Sequence, residues 1–127
     1  MRIDHIALFT EDSERLRTFY CAYFGATSNA MYHNPRTGLK TYFLSFSDGA
    51  RLELMSRPDV TGIVSADCQT GYAHVSFALG SKDEVDRLTD LLVQNGYPCI
   101  SGPRTTGDGY YESCVLDPDG NRIELTV

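Results

Sequence analysis

The chain has 127 residues, of which 42% are hydrophobic and 22% are charged, a composition typical of one globular domain with one core. A net charge of −6 argues against a nucleic-acid partner, because affinity for nucleic acid comes mainly from concentrated lysine and arginine. No segment approaches the roughly 18 apolar residues of a membrane span, and the N-terminus lacks the apolar stretch of a secretion signal. We therefore expect a cytoplasmic protein with a small-molecule substrate and no membrane partner.

Four cysteines are scattered along the chain without a C-x-x-C pair, at Cys21, Cys68, Cys99 and Cys114. A reducing compartment keeps isolated cysteines as thiols. We expect buried structural thiols, with a reactive or ligating role as the alternative.

The first half of the chain predicts a strand, a helix and three further strands. Asp12 and Ser13 carry helix-capping chemistry, and the apolar residues that follow at three- and four-residue spacings predict a helix that ends at Gly25. His33 falls in a predicted turn at 33–38. The predicted strands of this half are 3–9, 28–32, 40–46 and 51–55.

The second half predicts the same order of elements after a connector at 58–71, which is rich in turn-forming residues. Ser81 and Glu84 form a capping-box pattern, which predicts a helix that ends near Gly96. Residues 102–109 predict a Gly-rich loop, which is either a plain hairpin connection or a lid over a pocket. The predicted strands are 72–79, 98–100, 110–116 and the segment after the turn at 117–120.

Two near-copies of one turn-and-strand sequence indicate an internal repeat. Residues 119–125 (DGNRIEL) match residues 48–54 (DGARLEL) at five of seven positions, with an offset of 119 − 48 = 71 residues. We therefore predict an α+β fold in which one domain, 1–127, is built of two tandem βαβββ units. The predicted units are 1–57 and 72–127, joined by the connector at 58–71.

A histidine on the first predicted strand and a glutamate on the last recur in both units, at His5, Glu53, His74 and Glu124. Strand alternation places each on the face opposite its apolar neighbours, so we expect all four to point into the concave side of curved sheets. Without a cation, converging carboxylates would cost of order several kcal/mol. Imidazole and carboxylate ligands suit Zn²⁺, Ni²⁺, Co²⁺, Fe²⁺ or Mn²⁺. The pattern therefore predicts a divalent metal site.

Together these features resemble the vicinal oxygen chelate superfamily, which includes glyoxalase I, methylmalonyl-CoA epimerase, fosfomycin-modifying thiol transferases, extradiol dioxygenases and bleomycin-binding proteins. Besides the paired units and the four ligand positions, the resemblance rests on Phe19-Tyr20 and Gly25 of the first helix and on the ending Asp-Pro-Asp-Gly-x-x-Ile-Glu-Leu. It implies a glyoxalase-like fold, a half-barrel of curved mixed sheet around a metal site. It also implies a homodimer in which each site is shared between subunits.

Within that superfamily, the set of two histidines and two glutamates is most similar to that of bacterial glyoxalase I, a lactoylglutathione lyase. The resemblance implies that His5, Glu53, His74 and Glu124 hold zinc, nickel or cobalt, with iron or manganese as further options. It also implies an enediolate stabilised by the metal, with Glu124 or Glu53 carrying a proton between two carbons. The alternatives are a dioxygenase or an antibiotic-modifying thiol transferase of the same superfamily, and a non-catalytic small-molecule-binding protein.

Two positions leave the substrate open. Glyoxalase I typically has a glutathione-binding arginine and asparagine where this chain has Phe9 and Arg57. Another carbonyl or hydroxyacid derivative is therefore the alternative to a glutathione hemithioacetal. The candidate contacts for a substrate anion are Arg57, Lys40 and Arg104, each of which can equally be an ordinary surface charge. For Arg51 and Arg122, each two residues before its glutamate, a structural ion pair is preferred over a substrate contact.

Overall fold

The computed structural model describes residues 1–62 and 70–127. The chain divides into two units, Met1–Gly62 and Ile63–Val127. The first contains β1 (His5–Phe9), α1 (Ser13–Phe24), β2 (Thr27–Ser28), β3 (Tyr32–His33), β4 (Lys40–Ser45) and β5 (Arg51–Ser56). The second contains β6 (Val75–Ala78), α2 (Lys82–Gln94), β7 (Cys99–Thr105), β8 (Tyr111–Leu116) and β9 (Arg122–Thr126). Within these described ranges, neither helix is long and apolar enough to cross a lipid bilayer.

In each unit the first strand pairs in parallel with the last, and the neighbouring strands pair antiparallel. The first sheet has the order β1-β5-β4-β2, with β3 also paired to β4, and the second has the order β6-β9-β8-β7. Both units therefore have the predicted βαβββ order, and in the first unit the second strand is divided into two short pieces.

The boundaries of α1 follow from its caps. The Asp12 carboxylate accepts a hydrogen bond from the backbone N–H of Arg15, which satisfies one of the free donors at the helix start. At the other end Gly25 has a φ of 63°, the left-handed conformation that ends many helices. Both boundaries confirm the prediction from the sequence.

The apolar side of α1 covers one face of the first sheet. The core between them is formed by side chains of the helix and of β4 and β5. The buried side chains are Leu16, Phe19, Tyr20, Leu44, Leu52 and Leu54. Because side chains alternate along a strand, the burial of Leu52 and Leu54 turns Glu53, which lies between them, to the opposite face.

The second unit is built in the same way around α2. The Ser81 hydroxyl caps the helix by accepting from the backbone N–H of Glu84, as predicted, while the Glu84 carboxylate accepts hydrogen bonds from the Arg87 guanidinium. The buried apolar side chains are Val85, Leu88 and Leu92 of α2, and Val115, Ile123 and Leu125 of the sheet. The burial of Ile123 and Leu125 turns Glu124 to the other face, as it does for Glu53 in the first unit.

The prediction for residues 28–37 was wrong in detail. One strand was expected at 28–32, and His33 was assigned to a turn. Instead β2 and β3 each pair with β4 over two residues, and His33 lies opposite Lys40. Between them the Asn29 side-chain oxygen accepts from the backbone N–H of Phe43, so a side chain takes a place in the strand pairing.

The predicted loop at 102–109 is also wrong over its first four residues, since β7 continues to Thr105. Gly102 and Pro103 indicate a loop in the sequence, but here they lie in a strand at the edge of its sheet. Register shifts between Cys99 and Arg104 accommodate them. A lid of the predicted length is therefore excluded, because the turn between β7 and β8 is confined to residues 106–110.

Residues 63–69 of the predicted connector at 58–71, and Cys68 with them, lie outside the described residues. Cys21, Cys99 and Cys114 are free thiols that are half-buried, whereas burial was expected.

Substitution of Gly102 tests the structure of the bulged β7 strand. A Cβ atom at this position would lie 2.5 Å from the Glu112 carbonyl oxygen and 3.0 Å from the Ser113 Cα, and the φ of 79° disfavours any other residue. We expect Gly102→Ala to lower the free energy of unfolding by about 2 kcal/mol or more in urea denaturation.

The matched control for this variant is Gly107→Ala, because a Cβ at Gly107 meets no atom within 4 Å. We expect this control to change stability by about 0.5 kcal/mol or less. Equal stability of the two variants would contradict the close approach of β7 to β8.

Candidate functional site

The first unit brings His5 and Glu53 together. In the parallel pairing of β1 with β5, Ala7 lies opposite Glu53, and His5 is two residues earlier on the same face. The His5 Nε2 atom lies 3.6 Å from Glu53 Oε2, and the two side chains are 39% and 15% exposed. Both groups are therefore held in place and still reachable by a ligand.

Asp4 determines which nitrogen of His5 faces Glu53. The Asp4 Oδ2 atom lies 2.9 Å from His5 Nδ1 and accepts a 2.6 Å hydrogen bond from Arg51. The bonds to His5 and Arg51 lower the pKa of Asp4 to about 2, so this carboxylate is charged and can only accept. His5 must then donate from Nδ1, which leaves Nε2 directed towards Glu53.

An aromatic ring packs against the same groups. Phe43 lies opposite Glu53 in the pairing of β4 with β5, and its ring meets the His5 imidazole edge to face at 5.3 Å. The Arg51 guanidinium lies 4.5 Å from the centre of the same ring. Phe43 therefore restricts His5 and Arg51 together, and Arg51 forms the ion pair that the sequence favoured, with Asp4 as its partner.

The second unit brings together His74 and Glu124. His74 Nε2 lies 3.5 Å from Glu124 Oε2, and the side chains are 41% and 21% exposed. His74 was expected inside a strand but lies one residue before β6. The Ser76 hydroxyl, opposite Glu124 in the pairing of β6 with β9, donates a 2.8 Å hydrogen bond to Glu124 Oε1.

Each pair has the chemistry and the spacing of two ligands of one cation. Bonds of about 2.0–2.2 Å from a cation to nitrogen and oxygen place neighbouring ligand atoms about 3–3.5 Å apart. The separations of 3.6 and 3.5 Å are close to that value. Within residues 1–62 and 70–127, no three His, Cys, Asp or Glu side chains lie close enough to hold one ion. The convergence of all four predicted ligands thus stays a prediction.

Of the candidate substrate contacts, Arg57 and Phe9 lie together. The Arg57 guanidinium is 5.8 Å from the centre of the Phe9 ring and forms two hydrogen bonds with the Asp59 carboxylate, of 2.7 and 2.6 Å. These bonds raise the pKa of Arg57 and lower that of Asp59. A substrate anion would have to compete with Asp59 for this arginine.

The other two candidate cations, Arg104 and Lys40, belong to different sheets. Arg104 of β7 lies 3.7 Å from the Glu112 carboxylate of β8. Lys40 is exposed at the start of β4, opposite Ser56 of β5. Arg104 is on the same sheet as the His74–Glu124 pair, and Lys40 is on the same sheet as the His5–Glu53 pair.

The sequence analysis missed four residues beside the two pairs. They are Asp4, Phe43, Ser76 and Cys114, the last of which lies opposite Glu124 in the pairing of β8 with β9. Burial raises the pKa of the Cys114 thiol. Asp4 and Ser76 could have been identified from the sequence. Asp4 is adjacent to the predicted ligand His5, and Ser76 shares a strand face with the predicted ligand His74. Phe43 and Cys114 required the register of the central strands.

Comparison with known proteins gives a family match over nearly the whole chain. Residues 2–125 match the profile of the Glyoxalase/Bleomycin resistance protein/Dioxygenase superfamily. A Bacillus subtilis protein, YqjT, whose function is uncharacterised, is 36% identical in an alignment of 63 positions that covers 47% of this chain and 49% of YqjT. The matched segment thus spans about half the length of that relative.

Solved structures agree with the family match. Glyoxalase I from Zea mays superposes with a TM-score of 0.81 at 23% identity, over 98% of this chain and 44% of the maize chain. A possible glyoxalase from Bacillus cereus gives a TM-score of 0.72 at 24% identity, over 100% of this chain and 99% of the other. The trypanothione-dependent glyoxalase I of Leishmania major gives 0.77 at 24% identity, over 99% and 86%. These likenesses confirm the predicted glyoxalase-like fold.

The charge state of Asp4 can be measured directly in protein stripped of metal. We expect its carboxyl carbon to titrate near pH 2 in NMR spectra, below the ordinary 3.8, because protonation breaks the bonds to His5 and Arg51. Since the folded pKa is lowered, the stabilisation is complete above the ordinary value and is lost as the pH falls from 3.8 towards 2.

Arg51→Met should raise the midpoint of Asp4 towards its ordinary value. Arg36→Met, which removes the same charge from an exposed turn, serves as the control and should leave the midpoint in place. A wild-type midpoint near 3.8 would show that Asp4 does not fix the His5 tautomer.

Proposed function

We propose, since the chain belongs to the Glyoxalase/Bleomycin resistance protein/Dioxygenase superfamily, that it is a metal-dependent lyase or isomerase of the glyoxalase I type. Its substrate would carry two neighbouring oxygens, as a hemithioacetal or a 2-oxo or hydroxyacid derivative does. Zinc, nickel or cobalt is the favoured metal, with iron or manganese as further options, since mixed nitrogen and oxygen ligands suit all five.

The arrangement of Asp4, His5 and Glu53 is the single observation that supports this proposal most strongly. With Nδ1 donating to Asp4, the Nε2 atom of His5 faces a carboxylate oxygen at 3.6 Å. Two lone pairs at this distance repel each other unless a cation or a proton lies between them. Metal-binding histidines commonly donate their other N–H to a carboxylate in this way. The second pair repeats the same two atoms, Nε2 and Oε2, at His74 and Glu124.

In the proposed reaction the four predicted ligands would hold the cation, and the cation would supply stabilisation of negative charge on the two substrate oxygens. A glutamate carboxylate takes the proton from the carbon that bears the hydroxyl and returns it to the neighbouring carbonyl carbon. The hydroxyl proton passes to the second oxygen. A hemithioacetal thus becomes a 2-hydroxyacyl thioester with no oxidant or reductant consumed. Glu53 and Glu124 are the two candidates for this carboxylate.

We expect wild-type protein to convert the hemithioacetal of methylglyoxal and glutathione to a thioester, and a chelator to abolish this reaction until metal is restored. Glu53→Gln and Glu124→Gln should each lower kcat/KM about a hundredfold or more, because each loses a ligand or the proton carrier. Thioester absorbance is the measurement, with elemental analysis of the native protein to identify the metal.

Glu84→Gln is the control for these variants, since Glu84 lies on α2 and pairs with Arg87. Full turnover after exhaustive removal of metal would contradict the proposal. Oxygen uptake, or loss of thiol without isomerisation, would instead assign the chain to the dioxygenase or thiol-transferase class.

We further propose a homodimer in which each site takes one His–Glu pair from each subunit. Each unit supplies two ligands, so a four-ligand site needs two units. Inactive His5→Ala and His74→Ala subunits, mixed after unfolding and refolded together, should then recover about a quarter of wild-type activity. Half of the dimers are mixed, and each mixed dimer has one intact site. A mixture as inactive as either variant alone, or a monomer in sedimentation, would contradict this assembly.

A further inference from the structure

A row of uncharged side chains crosses the first sheet, one from each of four strands. In sheet order its members are Phe9 of β1, Met55 of β5, Thr41 of β4 and Tyr32 of β3, each directly opposite the next. Phe9 and Met55 come two residues after Ala7 and Glu53, so the row shares the face of the His5–Glu53 pair. At about 3.3 Å per residue, the row lies about 7 Å from the level of Glu53 along the strands.

This row, which we call the apolar row, is closely packed at its centre and open at its ends. Thr41 is only 6% exposed, although strand alternation places it on the face away from α1. Neighbours on that face therefore cover it. Met55 is half-buried, whereas Phe9 and Tyr32 are exposed. An apolar group laid along the row would remove these exposed ring atoms from water, which is favourable.

The equivalent row of the second unit is polar. Its members are Ala78, Thr126, Glu112 and Arg104, each directly opposite the next. The offsets are those of the repeat, since 78 − 9 equals 69, and 126 − 55 and 112 − 41 each equal 71. This row contains a carboxylate and a guanidinium 3.7 Å apart. The apolar row therefore distinguishes the first unit and is not a requirement of the shared fold.

The charges beside the apolar row disfavour an anion. The Arg57 guanidinium lies 5.8 Å from the centre of the Phe9 ring and donates two hydrogen bonds to the Asp59 carboxylate. An anion at the Phe9 ring would have to compete with Asp59 for Arg57 and would be repelled by it. An uncharged group meets neither obstacle.

We propose that the apolar row binds an uncharged aryl or branched alkyl group that the substrate carries on sulfur. This inference rests on the proposed function and names its substrate class, the hemithioacetals of apolar thiols in preference to those of anionic thiols such as glutathione. Reach determines the point of attachment. The reacting carbons would be held beside the His–Glu pair, and a methyl group on the carbonyl carbon ends one bond away from them. A benzyl group attached through sulfur extends several bonds further, which suits a row about 7 Å along the strands.

The experiment compares two hydroxamic acids, because a hydroxamate carries two neighbouring oxygens that bind a divalent cation and does not react. The phenyl probe is phenylpropyl hydroxamic acid, and the carboxylate probe is the same molecule with a carboxylate at the para position of its ring. The first readout is the dissociation constant of each probe from Zn²⁺-loaded protein in calorimetry, which needs no turnover. The second is kcat/KM for the methylglyoxal hemithioacetals of benzyl mercaptan and of its para-carboxy analogue.

We expect the wild type to bind the phenyl probe about tenfold more tightly than the carboxylate probe, with the same order in kcat/KM. Phe9→Ala should weaken the phenyl probe about tenfold, because it removes the ring at the open end of the apolar row. The Zn²⁺ dissociation constant should stay the same, since no ligand is lost. Phe9→Leu keeps an apolar side chain and should bind the phenyl probe within about threefold of the wild type.

Val93→Ala is the matched control, since Val93 is as exposed as Phe9 but lies on α2, on the other side of its sheet from Glu124. It should leave every readout at the wild-type value. Asp59→Asn releases the Arg57 guanidinium and should strengthen the carboxylate probe about tenfold, with little change for the phenyl probe.

Two results would overturn the inference. One is equal affinity of the wild type for the two probes, and the other is a Phe9→Ala variant that binds the phenyl probe as tightly as the wild type does. Failure of the proposed function has a different signature. Protein that prefers the phenyl probe through Phe9 but converts neither hemithioacetal overturns the reaction alone and supports the apolar row as a binding site.

Discussion

The parallel pairing of the first and last strand in each unit is the constraint on which both His–Glu pairs depend. It pairs Glu53 with Ala7, which lies two residues after His5 on the same face of the sheet. His5 and Glu53 are therefore neighbours, although they are 48 positions apart in the sequence. The register is fixed by the other face, because Leu52 and Leu54 are buried against α1. A slip by one residue would expose both leucines, at a cost of about 3–6 kcal/mol, and would turn Glu53 into the core. The apolar core therefore positions the polar site.

Duplication of this framework constrains the ligands but leaves their neighbours free to differ. Asp4 beside His5 corresponds to Ala73 beside His74, and Phe43 opposite Glu53 corresponds to Cys114 opposite Glu124. A side chain on the exposed face of a strand can change without loss of core packing, so these positions carry differences that the buried leucines cannot. The consequence is two pairs of equal geometry, with His–Glu separations of 3.6 and 3.5 Å, and unequal support.

The sequence was sufficient to predict the elements with strong local signals. Asp12 and Gly25 bounded α1 correctly, and alternation assigned Glu53 and Glu124 to the faces they occupy. It failed where pairing overrides local preference. Gly102 and Pro103 favour turns, yet they lie in a bulged edge strand. His33 was predicted in a turn, yet it lies in β3, which pairs with β4 over two residues. Phe43 and Cys114 could not be found at all, because only strand register brings them beside the glutamates.

The side chains further along the same face bear on the substrate. Phe9 follows Ala7 by two residues and Met55 follows Glu53 by two, so both lie on the face of the His5–Glu53 pair. Arg57 lies over the Phe9 ring, and the Asp59 carboxylate, which accepts two hydrogen bonds from it, balances its positive charge. An exposed ion pair of this kind contributes little to stability, which means that a ligand carboxylate could displace Asp59 at small cost. However, the displaced Asp59 would stay nearby and repel that ligand. We therefore predict that this end of the first unit accepts an uncharged group beside Phe9 more readily than an anionic one.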